Sequence, residues 1–141
     1  MTSEQTIAAD LQAFLESWAA QGGGAARKAL QMILTRIDFL GDTEIQYLAR
    51  PGISHSLRVR RLDQSVRPLF LLMDVVGEDP AERWLSVCFY GETVSDPQEL
   101  GDFVPGGLLG EDGLCFDVDG TNLELLEYVA RRVEEAHLAA A

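Results

Sequence analysis

The pattern of apolar and polar positions changes period twice along the chain, and each change predicts a new kind of element. Two N-terminal segments carry apolar residues at helical spacing on either side of three glycines, which predicts a helical hairpin over residues 3–40. Over residues 43–118 apolar residues mostly alternate with polar ones, which predicts strands. A helical period returns over residues 121–138, where Thr121 is expected to cap a final helix.

A pair of strands lies at the centre of this pattern. Residues 69–76 are apolar except at Asp74, as is typical of a strand that is covered on both faces. Residues 84–90 follow a short acidic turn and alternate between a plain apolar face and an amphipathic face. We expect the outer face of this hairpin to carry four large apolar side chains: Phe70, Leu72, Trp84 and Tyr90.

The predicted fold class is α+β. Four consecutive strands with short links predict an antiparallel meander, and a fifth strand is expected over residues 114–118. The two N-terminal helices and the C-terminal helix would pack on this sheet within one domain of 141 residues. Residues 91–113 are rich in glycine and contain two prolines, so we expect them to form a long loop.

The outer face raises the main functional question, because a bare apolar patch of this kind is rare on a soluble monomer. Burying each such side chain is worth about 1.5–3 kcal/mol, so we expect a cover. The cover would be the loop 91–113, a second copy of the chain, or a bound ligand or partner protein. The first cover is structural. The other two are interactions, and they make Phe70, Trp84 and Tyr90 candidate binding residues.

The net charge of -12 is concentrated in the middle of the chain. Residues 1–73 hold eight Lys and Arg against seven Asp and Glu, whereas residues 74–119 hold one against twelve. Such an anionic surface disfavours nucleic-acid binding, since it would repel the phosphate backbone. The sequence also contains no apolar run long enough for a membrane helix, and its polar N-terminus does not resemble a signal peptide. A cytoplasmic location is therefore expected.

The arginines gather before the acidic region. Arg58 and Arg60 share one face of a predicted strand, and Arg50 and Arg67 are expected on neighbouring strands. Guanidinium groups bind carboxylates and phosphates with two parallel hydrogen bonds. These arginines are therefore either paired with acidic side chains of the same chain or available to an anionic partner, which makes Arg58 and Arg60 candidate binding residues.

The cysteines and histidines do not form a pattern typical of a metal or catalytic site. Cys88 and Cys115 are either joined in a disulfide or present as two buried thiols, and we expect the thiols, as in most intracellular proteins. His55 and His137 are the only histidines, too few for a zinc site, and no spacing supports a nucleophile pair of Cys88 and His55. The sequence around Gly120 also does not match a calcium-binding EF-hand loop when Gly120 is placed at the position of the loop's glycine. We therefore predict no metal and no cofactor.

The segment FDVDGT, residues 116–121, resembles the first motif of the haloacid dehalogenase phosphatase superfamily. That resemblance implies that Asp117 attacks phosphorus and that Asp119 acts as acid and base, with Mg²⁺ offsetting the charge. It covers six residues, and the short segment after Asp119 leaves no room for the later motifs of that family. We interpret the segment as a strand that ends in a turn and a helix cap.

Three functional hypotheses follow. The leading one is a non-enzymatic interaction protein that self-associates through the outer face of the sheet. The second is a small domain or minor enzyme that binds an anionic ligand between loop 91–113 and the sheet. The third is a metal-dependent phosphatase that uses Asp117 and Asp119.

Overall fold

The computed structural model describes residues 9–140, in which two helices precede six strands and a third helix follows them. The elements are α1 (Ala9–Ala20), α2 (Ala25–Leu40), β1 (Thr43–Arg50), β2 (Ser54–Arg61), β3 (Leu71–Val76), β4 (Trp84–Tyr90), β5 (Asp102–Leu108), β6 (Glu111–Val118) and α3 (Leu123–Ala139). All described strands pair antiparallel in one sheet, in the order β1-β2-β3-β4-β6-β5. The predicted α+β fold with its meander is confirmed.

The strand count is six, and the expected loop over residues 91–113 is wrong for its second half. In β5, Phe103 pairs with Leu114 and Val104 with Gly113, and a bulge interrupts the ladder before Leu108. Pro105 lies in this bulge, where a missing backbone donor is tolerated because β5 is an edge strand. The second half of the segment therefore belongs to the sheet, although its Leu108 packs against Leu69 and Tyr90.

The helical hairpin is confirmed where the structure describes it. Its apolar stripes are buried in both helices, with Leu11 and Trp18 in α1 and Ile33 and Ile37 in α2 fully enclosed. The start of the predicted hairpin, residues 3–8, lies outside the described residues. None of the helices within residues 9–140 combines the length and apolarity that a membrane crossing needs.

The C-terminal helix begins after Asn122 and not after Thr121. The Asn122 side chain accepts a hydrogen bond from the backbone N–H of Leu125, 3.0 Å away, and so caps α3. The buried stripe of α3 matches the one expected from its helical period and packs over β4 and β6. The main core thus lies between the helices and one face of the sheet, around Leu57, Met73 and Val87.

Candidate interaction surface

The described helices lie on one face of the sheet. Helix α2 contacts β1 and β4, and α3 contacts β4 and β6, while Phe14 of α1 stacks on Tyr47 of β1. We call the opposite side the outer face. It carries the side chains at even-numbered positions of β1 to β4 and at odd-numbered positions of β6, which the strand register aligns in continuous rows. No described helix covers this face.

Apolar side chains form a strip across the outer face. Leu48 of β1 is 45% exposed, and Leu72, Val76 and Trp84 are half-buried. Val76 lies directly opposite Trp84 in the register of β3 and β4. Trp84 also lines a cleft of about 640 Å³ at the end of the sheet. The structure therefore leaves part of this apolar surface accessible.

One end of the outer face is closed by the chain itself. Leu69, Tyr90 and Leu108 form a small buried cluster against which Leu72 packs. The guanidinium carbon of Arg67 lies 4.6 Å from the centre of the Tyr90 ring, and burial raises the pKa of the Tyr90 hydroxyl. Tyr90 is therefore a buried residue, with 1% of its surface exposed to solvent.

Phe70 was expected on the outer face and lies on the other side. It belongs to the main core, where its ring meets the edge of the His137 ring of α3 with centroids 5.5 Å apart. Its backbone N–H donates to the carbonyl oxygen of Val59, and Leu71 is the Cα partner of that same residue. Two residues thus lie against one, as in a β-bulge, and the alternation of side chains shifts by one position.

A polar group sits in the middle of the apolar strip. Asp74 accepts hydrogen bonds from the hydroxyl groups of Ser54 (2.9 Å) and Ser56 (2.5 Å), and a guanidinium nitrogen of Arg50 lies 4.0 Å away. Both serines are buried. The hydrogen-bonding capacity of these groups is thus used within the chain. They do not present a free nucleophile at the centre of the outer face.

The two candidate binding arginines differ in their partners. Arg60 pairs with Glu44 at 3.0 Å, as the internal pairing hypothesis expects. The Arg58 side chain has no ion pair or hydrogen bond within the described residues, and its Nε is buried without a partner. In the strand register Arg58 lies between Gln46 and Leu72. It is therefore a partly buried cation beside the apolar strip.

The cysteines are joined in a disulfide, which corrects the expectation of two thiols. Cys88 and Cys115 are direct partners in the register of β4 and β6, and their Cα atoms lie 4.1 Å apart. Both are half-buried on the outer face. His55 belongs to the helix side, opposite Val75, so the structure does not bring Cys88 and His55 together.

The two aspartates of the FDVDGT segment have different surroundings. Asp117 is an exposed residue of β6 opposite Ser86 and lacks a partner within the described residues. Asp119 accepts hydrogen bonds from the backbone N–H (2.9 Å) and hydroxyl (2.7 Å) of Thr121, and these bonds lower its pKa. Within residues 9–140 no three His, Cys, Asp or Glu side chains are grouped so that they could hold a metal ion.

The segment expected to frame an anion pocket forms a small acidic cleft. Arg67, Tyr90 and Glu92 line it together with residues 110–112, and its volume is about 340 Å³. Arg67 bonds both Glu111 (2.9 Å) and Glu92 (2.5 Å). An anionic ligand would therefore meet several carboxylates and a guanidinium that is already paired, which disfavours its binding.

Residues Leu48 and Val76 belong to the outer face and were not among the candidate binding residues. The signal for both was present, because they share the phase of Arg58 and Leu72 in an alternating pattern. Comparisons of the chain with protein-family models, with curated proteins and with solved structures give no match.

Proposed function

We propose that this chain is a non-enzymatic interaction protein whose outer face binds a segment of another protein. The observation that carries the proposal is the position of Arg58, a partly buried guanidinium without a partner in the described chain, beside Leu48 and Leu72. Burial without a partner costs free energy that a carboxylate from a partner would offset. Covering the half-exposed apolar strip would add to the affinity.

The charges on the outer face specify the chemistry of the partner segment. Arg50 and Arg58 lie on β1 and β2. Asp117 on β6 and Asp102 on β5 are exposed on the same face, towards the other edge of the sheet. A complementary segment has apolar side chains in its middle, a carboxylate that meets Arg58, and a basic group that meets Asp117. Charges of opposite sign at the two sides of the outer face orient the partner segment and disfavour its binding in the reverse direction.

The overall charge favours a partner other than a second copy at this face. Two stacked sheets lie only about 10 Å apart, so face-to-face pairing would bring two strongly acidic regions, residues 74–119 of each copy, close together. Self-association through the outer face remains the competing outcome, and the experiment below separates the two.

The test uses short synthetic peptides of designed composition and fluorescence anisotropy with the full chain. One set carries an apolar centre with an acidic end and a basic end; control sets have only polar centres or two acidic ends. We expect the first set to bind, and Arg58→Glu and Val76→Glu to weaken that binding about tenfold or more. Phe39→Ser is the matched control, since Phe39 is an exposed apolar residue of α2, outside the outer face.

Two kinds of result would contradict the proposal. One is equal binding of all peptide sets, or binding that Val76→Glu leaves unchanged. The other is light scattering that shows a wild-type dimer which Val76→Glu converts to a monomer, because the outer face would then be occupied by a second copy. Circular dichroism of each variant checks that the fold is retained.

A further inference from the structure

The two edges of the sheet differ in how they are protected. The ladder of β5 is broken by a bulge that contains Pro105, and such features prevent further strand pairing. Strand β1 pairs with β2 over all eight of its residues without a bulge, and Pro51 comes only after its end. No described strand pairs with the other side of β1. It is a regular edge that can accept another strand.

The direction of the free backbone groups follows from the ladder. The backbone N–H of Leu62 donates to the carbonyl oxygen of Asp42, 2.9 Å away. Because bonded and non-bonded pairs alternate in an antiparallel ladder, the even-numbered residues of β1 bond β2. The odd-numbered residues Ile45, Tyr47 and Ala49 therefore direct their N–H and C=O groups away from the sheet. An incoming strand would meet these groups.

We propose that a second copy of the chain pairs with this edge, β1 against β1, antiparallel and centred on Tyr47. In this register Tyr47 lies opposite Tyr47 of the second copy, and Ile45 lies opposite Ala49. The outward backbone groups of both strands then form about six hydrogen bonds. The two sheets become one continuous sheet.

The side chains of β1 support a second copy as the occupant. Glu44 and Arg50 are exposed on the outer face, and the register places each directly opposite the other in the second copy. The same operation places Gln46 opposite Leu48, which is half-exposed in one chain. Opposite-charge pairs across neighbouring strands stabilise a sheet, and this antiparallel register forms two of them, Glu44 with Arg50 in both directions.

The distribution of charge over the chain also favours this edge. Residues 1–73, which contain β1 and β2, carry a net charge of +1. The acidic residues 74–119 begin in β3 and lie beyond it, so an edge-to-edge pair keeps the two acidic regions at opposite ends of the sheet. Pairing is independent of the proposed function, and it places two outer faces side by side.

The experiment measures the mass of the full chain by sedimentation equilibrium over a range of concentrations. A strand pair buries a small area, so we expect a reversible dimer with a dissociation constant of micromolar order. Ala49→Pro removes one outward N–H and should weaken the dimer about tenfold, since each copy loses a hydrogen bond. Ala49→Ser keeps that N–H and should leave the dimer unchanged.

A charge exchange tests the register. Glu44→Arg and Arg50→Glu should each weaken the homodimer, because each places like charges opposite one another. An equimolar mixture of the two variants should form a heterodimer, because both cross-strand pairs are then of opposite charge. Unfolding curves of each variant establish that it is folded.

Any of the following results would overturn the proposal. The first is a wild-type monomer at every concentration measured. The second is equal dissociation constants for Ala49→Pro and Ala49→Ser, or a charge-exchange mixture that does not associate. The third is a dimer that the outer-face substitution Val76→Glu abolishes, whereas edge pairing predicts that this variant remains dimeric.

Discussion

The imidazole of His55 stacks on the ring of Phe14, with the two ring centroids 4.0 Å apart. The Tyr47 hydroxyl lies 2.7 Å from the Nδ1 of the same imidazole. The guanidinium of Arg83 lies over the Phe14 ring at 5.3 Å, so a cation borders this cluster. The contacts join α1 to the first two strands, and they favour a neutral imidazole.

We expect the protonation of His55 to lower the stability of the fold. Burial, and secondarily the charge of Arg83, lowers the pKa of His55 below its ordinary 6.5. The unfolded chain therefore binds a proton first as the pH falls, and the free energy of unfolding decreases from about pH 7 until the pH has passed the folded-state pKa. Carboxylates titrate below most of this window.

The measurement is urea unfolding of the wild type and of His55→Asn between about pH 7.5 and 5.5. The wild type should lose stability over this interval, and the variant should lose clearly less because it has no group to protonate at this position. Equal slopes in the two proteins would show that His55 does not carry the effect.

Substitution of Gly120 by alanine should destabilise the fold more than the matched substitution of Gly52, because only the first would bring a Cβ against the backbone of another element. Gly120 has φ +89°, and a Cβ there would overlap the carbonyl oxygen of Ala25 at the start of α2. Gly52 has φ +76°, and a Cβ there would meet no atom. We expect Gly52→Ala to cost about 1 kcal/mol and Gly120→Ala at least about 2 kcal/mol more.

The midpoint of urea unfolding, compared at a constant slope, measures both costs. If the two variants have equal stability, the close approach between Gly120 and Ala25 does not constrain the fold. The comparison is informative because left-handed backbone strain is common to both sites, and only the steric overlap differs.

The sequence predicted the elements whose period is regular over many residues. Helix α2 lies within the predicted helical hairpin and strand β4 occupies its expected range, because a helical stripe or an alternating strand is repeated enough times to be distinguished from chance. Strand β5 was missed because its apolar pair, Phe103 and Val104, precedes Pro105 and two glycines. On an edge strand these residues are tolerated, and the local sequence alone does not reveal the pairing.

The outer face was predicted in part, and the error has a specific cause. Leu72 and Trp84 lie on it as expected, but Phe70 does not, because Phe70 and Leu71 both lie opposite Val59. Alternation predicts the face of a side chain only while the ladder is regular, and a local bulge shifts every position before it. The unpaired state of Arg58 depends on which acidic residues the fold brings near, so it could not be predicted from spacing.

The surroundings of Asp117 and Asp119 predict that the protein has no phosphatase activity and that the two aspartates differ in their effect on stability. Asp119 holds the turn before α3 through Thr121, so Asp119→Ala should lower stability by about 0.5–1.5 kcal/mol. Asp117→Ala should change stability by less than about 0.5 kcal/mol, since Asp117 is exposed. Hydrolysis of p-nitrophenyl phosphate with Mg²⁺ should not exceed the rate without protein. A Mg²⁺-dependent rate that Asp117→Asn abolishes would instead establish the phosphatase.

The cross-strand disulfide should make stability depend on the redox conditions. Cys88 and Cys115 are 27 residues apart in sequence, and closing a loop of this size stabilises a fold by about 3.5 kcal/mol in the chain-entropy model. We expect dithiothreitol to lower the urea midpoint of the wild type and to leave a Cys88→Ala, Cys115→Ala double variant unchanged. Thiol titration of the denatured, unreduced protein should find no free thiol. Two free thiols, or equal effects of dithiothreitol on both proteins, would mean that the two strands are held by the ladder and by packing alone.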